Sequence, residues 1–368
     1  MPFELVRALR AAQDRIAHGD ASAQERQRQL LAAIGAQMKR ADSAAWKDPR
    51  NARAAVIYVL SGGDPSVLQS LQGRGAVGGL EDNLVKGAIG YGLGRSADAE
   101  LLLEVDARQL DPAMAGHVAL VQSTLVLQKD AARALRLLDE ARLSSPGTLI
   151  EEAALRRQAF LALAAGERDR FEVVSSRYLR RFGNSVYAAS FRRQFATEVV
   201  GQKYAADAAR LKRIEAIVAG LPISHRLEIY LAMAAEGVVR GKVEATIMAA
   251  SRASELATPG SGAKARAELF KGAAFVASEE LPAGVETLKG LDASQLDSAD
   301  RELLDAALVL SDEIRRWPDT ALLAEGMRQI EARAPEAERP IVLATAKALA
   351  AAQSLNSRVD QLLGGAVK

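Results

Sequence analysis

The run of residues 73–78, Gly-Arg-Gly-Ala-Val-Gly, matches the G-x-G-x-x-G pattern of dinucleotide-binding loops. Such a loop follows a β-strand and opens a helix whose N-terminus faces the phosphates of the cofactor. Residues 67–71, which precede the run, have the pattern of a helix, and no strand–helix–strand unit surrounds it. We therefore interpret residues 73–78 as a flexible linker, and we expect no bound cofactor.

The histidines and the adjacent acidic residues also fail to form a catalytic or metal-binding pattern. His18, His117 and His225 are far apart in the sequence and have no partner at the spacing of metal ligands. The pairs at 151–152 and 279–280 are adjacent glutamates, which a helix points in different directions. We expect these glutamates to be surface residues and not an acid–base pair, and we predict a protein with no catalytic residues and no metal.

The composition favours a helical protein and gives no sign of nucleic-acid binding. The chain is 49% hydrophobic but only 4% aromatic, because alanine and leucine are in excess, and both residues favour helices. The net charge of +2 points to neither nucleic acid nor a membrane surface. No apolar run approaches the roughly 20 residues of a membrane span, so no membrane insertion is expected. With no cysteine, the chain has neither disulfides nor thiolate metal sites.

Residues 128–182 predict a helical hairpin. Asp130 is placed to cap a helix in which Ala134, Leu138 and Ala141 recur on one face. Ser-Ser-Pro-Gly at 144–147 ends that helix, because proline lacks the N–H that a helix needs. The next helix has a capping-box pattern, with Thr148 followed three residues later by Glu151.

Similar helix pairs recur along the chain. Tight breaks at Gly94, Lys129 and Gly166 are 35 and 37 residues apart, which brackets the ~34-residue period of tetratricopeptide repeats. The run Asp-Ala-Arg-Gln-Leu-Asp at 106–111 recurs as Asp-Ala-Ser-Gln-Leu-Asp at 292–297, and we interpret the two as equivalent turns between helices. The chance alternative is a coincidence in a chain rich in Ala, Leu and Asp. Helices are expected over 113–127, 130–143, 148–165, 168–182 and 298–316, among others.

The fold class that follows is all-α. Residues 1–338 are predicted to form an elongated α-solenoid of antiparallel helix pairs, degenerate and tetratricopeptide-like, since each hairpin exposes an apolar face that only a neighbour can cover. Residues 339–368 are predicted to form a C-terminal capping helix. Its apolar seam steps by four and three residues through Ala348, Ala352, Leu355, Val359 and Leu362.

The charge distribution suggests where a partner binds. Residues 151–213 hold 13 Lys or Arg against 7 Asp or Glu, whereas residues 281–338 hold 6 against 13. Arginine and aromatic residues are mixed in the basic part, and both are frequent in binding hot spots. The alternative is a solvated arginine face with the aromatic rings in the core. The candidate protein-binding residues are Arg177, Tyr178, Arg180, Arg181, Tyr187, Arg192 and Arg193.

Three runs of the sequence resemble the chemotaxis protein MotC family of rhizobia. They are Asp-Pro-Arg-Asn at 48–51 with Ile-Tyr-Val-Leu-Ser-Gly-Gly-Asp-Pro at 57–65, then residues 137–157, and the helix at 175–182. The long central run, Leu-Leu-Asp-Glu-Ala-Arg-Leu-Ser-Ser-Pro-Gly-Thr-Leu-Ile-Glu-Glu-Ala-Ala-Leu-Arg-Arg, is the most specific. The likeness is clearest over residues 3–200.

The resemblance implies a non-enzymatic periplasmic scaffold that is needed for flagellar rotation and binds the periplasmic region of the stator protein MotB. Residues 1–7 have no signal-peptide pattern, so the periplasmic location is implied by the resemblance alone. The residues themselves leave two other classes of protein open. One is a tetratricopeptide-like adaptor of the cell envelope with no tie to the motor, and the other is a helical hydrolase acting on the cell wall. The hydrolase would need a cleft with converging carboxylates.

Overall fold

The computed structural model describes residues 1–77, 79–201, 204, 207–316 and 329, and every regular element within them is a helix. The first half contains α1 (Pro2–Ala17), α2 (Ser22–Arg40), α3 (Pro49–Leu60), α4 (Ser66–Gly73), α5 (Asp82–Gly92), α6 (Ser96–Ala99), α7 (Pro112–Val126) and α8 (Ala131–Ser144). The second half contains α9 (Leu149–Ala164), α10 (Arg168–Arg181), α11 (Ala188–Gly201), α12 (Ala208–Ala219), α13 (Ile223–Val239), α14 (Val243–Leu256), α15 (Gly262–Val276), α16 (Leu281–Lys289) and α17 (Ser298–Arg316). Short 3-10 helices span Ser43–Lys47, Glu100–Glu104, Ala107–Gln109 and Ala293–Gln295. The all-α prediction is confirmed.

The predicted hairpin at 128–182 is present, although one of its caps differs from expectation. Asp130 caps α8 by accepting a hydrogen bond from the Arg133 N–H at 2.8 Å, as predicted. Thr148 stands at the N-cap of α9 but donates its hydroxyl to the carbonyl of Ser145, 2.6 Å away. Glu151 accepts a hydrogen bond from the N–H of Gly147, not from that of Thr148. The predicted capping box is therefore not formed: the Thr148 hydroxyl bonds to the preceding turn, and Glu151 reaches back to the N–H of Gly147.

From α7 onward, most helices pack against the next helix, and some also pack against the next but one. Consecutive contacts run through α7, α8, α9 and α10, and again from α13 through α14, α15 and α16. Contacts between alternate helices join α7 to α9, α11 to α13, α13 to α15 and α15 to α17.

A glycine marks the closest approach within four helix pairs. A Cβ atom added at any of these positions would overlap the partner helix, so only glycine permits the observed spacing. They are Gly90 of α5 against α6, Gly116 against the C-terminal end of α8, Gly237 of α13 against α14, and Gly272 of α15 against α16.

The two similar Asp-containing turns have the same backbone conformation. Asp106 and Asp292 both have φ −80° and ψ 99°, and each caps a single 3-10 turn by accepting a hydrogen bond from the N–H two residues later. The following Asp111 and Asp297 accept from backbone N–H groups at the starts of α7 and α17. Both runs therefore form the same kind of turn between helices, as predicted; that they belong to equivalent repeats stays a prediction.

The N-terminal helix α1 contacts segments from the middle of the chain. The N–H of Val186 donates to the carbonyl of Ile16 at 3.2 Å, and the N–H of Leu149 donates to the Asp14 carboxylate at 3.3 Å. Gly19, at φ +102°, ends α1 so close to residue 184 that a Cβ would lie 2.5 Å from the Asn184 carbonyl oxygen. Helix α1 thus contacts α9 as well as α2 and α3, which a purely sequential array would not produce.

Two large apolar clusters form the core, and α9 belongs to both. Ala154 packs in the N-terminal cluster, whereas Leu155 and Ala159 pack in the C-terminal one. The predicted capping helix at 339–368 lies outside the described residues.

Candidate functional site

The structure separates the seven candidate binding residues into exposed and buried groups. Exposed side chains are Arg177, Arg180 and Arg181 on α10 and Arg193 on α11. Tyr178 and Arg192 are buried, and Tyr187 is half-buried. The four exposed arginines remain candidates for partner contacts. The buried residues instead help to hold α10 and α11, the helices that carry these arginines, in place.

Tyr178 belongs to an aromatic cluster in the core. Its ring stacks on Phe191 with the centroids 3.9 Å apart, and Phe182 lies on its other side at 6.2 Å. Phe171 and Phe195 stack at 5.6 Å in the same cluster. The aromatic residues mixed with arginine in the sequence are therefore largely inward-facing positions of α10 and α11. This matches the alternative in which aromatic rings fill the core beneath an arginine surface.

Glu151 and Glu152 are buried, so the prediction that they are surface residues is wrong. Glu152 is fully buried and accepts hydrogen bonds from the Tyr178 hydroxyl at 2.6 Å and from Arg156 Nε at 3.1 Å. Glu151 accepts a hydrogen bond from the Gly147 N–H at 2.6 Å and pairs with Arg181 at 2.9 Å. Burial is tolerated because each carboxylate has hydrogen-bond donors from a neighbouring segment. Burial raises the pKa of Tyr178, and the adjacent Glu152 carboxylate raises it further.

Arg192 joins two helices beneath the surface. Its Nε donates to Glu228 of α13 at 2.7 Å, and its Nη1 donates to the carbonyl of Gly183 at 2.7 Å. Since only 7% of the residue is exposed, Arg192 positions α11 against α13 and is not available to a partner.

A cleft of about 200 Å³ opens beside Arg180 and Arg181, between the C-terminal ends of α1 and α10 and the start of α13. His18 and His225 also line it. The ring Nδ1 of His18 donates to the carbonyl of Asp14 at 2.7 Å. Burial, together with Arg192, lowers the pKa of His225. Sequence reasoning missed that these two histidines share a cleft, because they are brought together only through the contact of α1 with the middle of the chain.

The exposed arginines differ in their availability. Arg181 is held by the buried Glu151, whereas Arg177, Arg180 and Arg193 have no ion pair within 4.0 Å among the described residues. Arg177 and Arg180 are three residues apart on α10 and so project from neighbouring positions on one face. These three exposed residues, Arg177, Arg180 and Arg193, are named the α10–α11 arginine surface after the two helices that carry them. Unpaired guanidinium groups on a rigid support suit carboxylates of a protein partner.

The part of the chain that the structure describes has neither a metal-binding cluster nor a membrane-spanning helix. No group of three His, Asp or Glu side chains is arranged to hold a metal ion there. None of the helices described is long and apolar enough to cross a membrane.

Comparisons with known proteins identify one family. A family model described as chemotaxis protein MotC matches residues 1–367. A curated protein named chemotaxis protein MotC, from Rhizobium meliloti (strain 1021), is 33% identical over 341 residues, which cover 92% of this chain and 76% of the relative. No solved structure matches the chain.

Proposed function

Because the chain belongs to the chemotaxis protein MotC family, we propose that it is a non-enzymatic periplasmic scaffold of the flagellar motor that binds the periplasmic region of the stator protein MotB. The match over nearly the whole chain is the observation that carries this proposal. Membership of the family makes it a chemotaxis and motility protein. The binding of MotB, the periplasmic location and the scaffold role are what we propose in addition.

A degenerate tetratricopeptide-like solenoid is the architecture that we propose for α7 to α17. Three features support it: the contacts between alternate helices, the glycine approaches within pairs, and the equivalent turns at Asp106 and Asp292. In such arrays each unit buries its apolar face on its neighbours, and the stacked helices present a long continuous surface. A surface of this kind suits an extended partner segment.

The α10–α11 arginine surface is our candidate for the contact with MotB. Its guanidinium groups are exposed and unpaired, and they stand on helices fixed from below by Tyr178 and Arg192. A rigid support lowers the entropy that is lost when a partner binds. Binding stabilises the held protein by RT ln(1 + [L]/Kd), so the stabilisation of the partner rises with the logarithm of the free scaffold concentration once that exceeds Kd.

A deletion strain tests the proposed function. We expect cells without the gene to assemble flagella but to swim poorly, with a reduced level of MotB in immunoblots. Expression of the wild-type gene should restore both. In a fractionation of the natural protein, we expect it to be released with the periplasmic contents. Normal swimming and normal MotB levels in the deletion strain would instead favour the envelope adaptor that has no tie to the motor.

A further inference from the structure

A second basic cleft lies between α1, α3 and the first turn of α7. It has a volume of about 210 Å³, and four arginines line it: Arg7, Arg10, Arg50 and Arg53. We call this the arginine cleft. Arg7 lines this cleft and His18 lines the cleft beside α10. The rise of an α-helix separates the two residues by about 16 Å along α1, so the two clefts lie toward opposite ends of that helix.

The positive charge of the arginine cleft is only partly neutralised. Arg50 pairs with Asp48 at 2.7 Å and lies 4.3 Å above the ring of Phe3. Arg7, Arg10 and Arg53 have no ion pair within 4.0 Å among the described residues. Asp111 is the acidic residue that lines the cleft, and its carboxylate already accepts a hydrogen bond from the Ala113 N–H at 3.1 Å.

The inner surface of the cleft is apolar. It is lined by Val6, Ala54 and Ile57, whose exposed fractions are 2%, 4% and 7%, respectively. Sites for small molecules usually have about 300–1,000 Å³, so this cleft is below their range. Its size suits one apolar side chain, with room at the rim for flanking carboxylates to reach the guanidinium groups.

We propose that the arginine cleft binds an acidic segment of a protein partner, which inserts one apolar side chain between flanking Asp or Glu residues. Paired with planar guanidinium groups, carboxylates form strong and directional hydrogen bonds. Nucleic acid fits less well, because bases need exposed aromatic faces on which to stack, and Arg50 already covers the ring of Phe3. The site is separate from the α10–α11 arginine surface and therefore goes beyond the proposed function.

Fluorescence anisotropy with the full chain tests the proposal. The probe is a short labelled peptide of alternating glutamates with a central leucine, and a matched peptide carries glutamine at each glutamate. The charge-reversal variant is Arg7→Glu with Arg10→Glu. Arg7→Gln with Arg53→Gln is a milder second variant, since a carboxylate at position 10 would lie near Asp14. The control is Arg26→Glu with Arg40→Glu, which makes the same charge change at two exposed positions of α2 that have no ion pair within 4.0 Å in the described part of the chain.

We expect the glutamate peptide to bind in a salt-dependent manner and the glutamine peptide not to bind. Charge reversal in the cleft should weaken binding at least about tenfold, and the α2 control should change it less than about twofold, because rim charges act locally at physiological salt. The milder variant should fall between them. No binding up to about 1 mM, or equal losses in the cleft and α2 variants, would overturn the proposal. Binding of phosphatidylglycerol vesicles that the charge-reversal variant loses, without binding of the peptide, would instead assign the cleft to a membrane surface.

Discussion

The hydroxyl of Tyr178 donates a hydrogen bond to Glu152 across 2.6 Å inside the core, and so links α10 to α9. The same arrangement recurs further along the chain, where the hydroxyl of Tyr204 donates to the buried Glu172 at 3.2 Å. An arginine completes each group: Arg156 pairs with Glu152, and Arg210 pairs with Glu172. Buried carboxylates are costly unless donors surround them, so these groups fix the register of the helices on which the exposed arginines stand.

Loss of the Tyr178 hydroxyl should destabilise the fold. In Tyr178→Phe the ring still packs on Phe191, but Glu152 loses its closest donor and remains buried. We expect the free energy of unfolding to fall by about 1–3 kcal/mol in urea denaturation. Tyr187→Phe is the matched control, because that half-buried ring stacks on Arg156 and keeps this contact; its change should stay within about 0.5 kcal/mol. Equal stability of the two variants would show that the Tyr178–Glu152 bond contributes nothing.

Glycine at position 90 is required by the contact between α5 and α6. A Cβ there would lie 2.7 Å from the backbone nitrogen of Ala99, and backbone cannot move aside as a flexible side chain can. Gly90→Ala should therefore lower the free energy of unfolding by about 1–3 kcal/mol, although alanine favours helices more than glycine does.

The control for Gly90 is Gly73→Ala, at the end of α4. An added Cβ at Gly73 meets no atom within 4 Å, so this variant should be neutral or more stable by up to about 1 kcal/mol. If Gly90→Ala also raised the midpoint of thermal unfolding, the close packing of α5 on α6 would be wrong.

His117 should make the fold sensitive to acid. It is buried on α7, its Nδ1 donates to the Ala113 carbonyl at 2.8 Å, and its Nε2 has no hydrogen-bond partner among the residues that the structure describes. Burial lowers the pKa of His117 to about 4, whereas in the unfolded chain it titrates near 6.5. Between these values the unfolded chain binds a proton that the folded chain does not. Protonation of His117 therefore does not change the free energy of unfolding above the pKa of the unfolded chain. As the pH falls from that value toward the pKa of the folded chain, the free energy of unfolding decreases.

His117→Leu tests this assignment. Between about pH 7 and about pH 4.5, the wild type should lose about 2 kcal/mol more stability than the variant in urea denaturation. If His117→Leu lost as much stability on acidification as the wild type, another group would be responsible.

Local sequence signals predicted the helices well. Expected bounds of 298–316 and 168–182 agree with α17 and α10, because prolines, glycines and aspartate caps act within a few residues. Long-range burial was not predictable in the same way. The sequence placed Glu151 and Glu152 on the surface, since their donors Arg181 and Tyr178 are 30 and 26 residues away in the chain.

The candidate site was predicted in part, because arginines can be recognised in a sequence but their exposure cannot. Periodicity did not separate the exposed Arg177 from the buried Arg192, whose partner Glu228 lies two helices further on. The pairing of Arg181 with Glu151 also changes the design of a binding variant. Arg181→Glu would place a second carboxylate beside a buried one, so a loss of binding could not be distinguished from a loss of folding.

Isothermal titration of the purified chain against the purified periplasmic region of MotB is the most direct test of the account. We expect the wild type to bind, and Arg177→Glu with Arg180→Glu to weaken binding about tenfold with an unchanged melting temperature, because both side chains are exposed and unpaired. The α2 control, Arg26→Glu with Arg40→Glu, should bind like the wild type. Absence of binding by the wild type up to high micromolar concentration would contradict the central claim that this protein holds MotB.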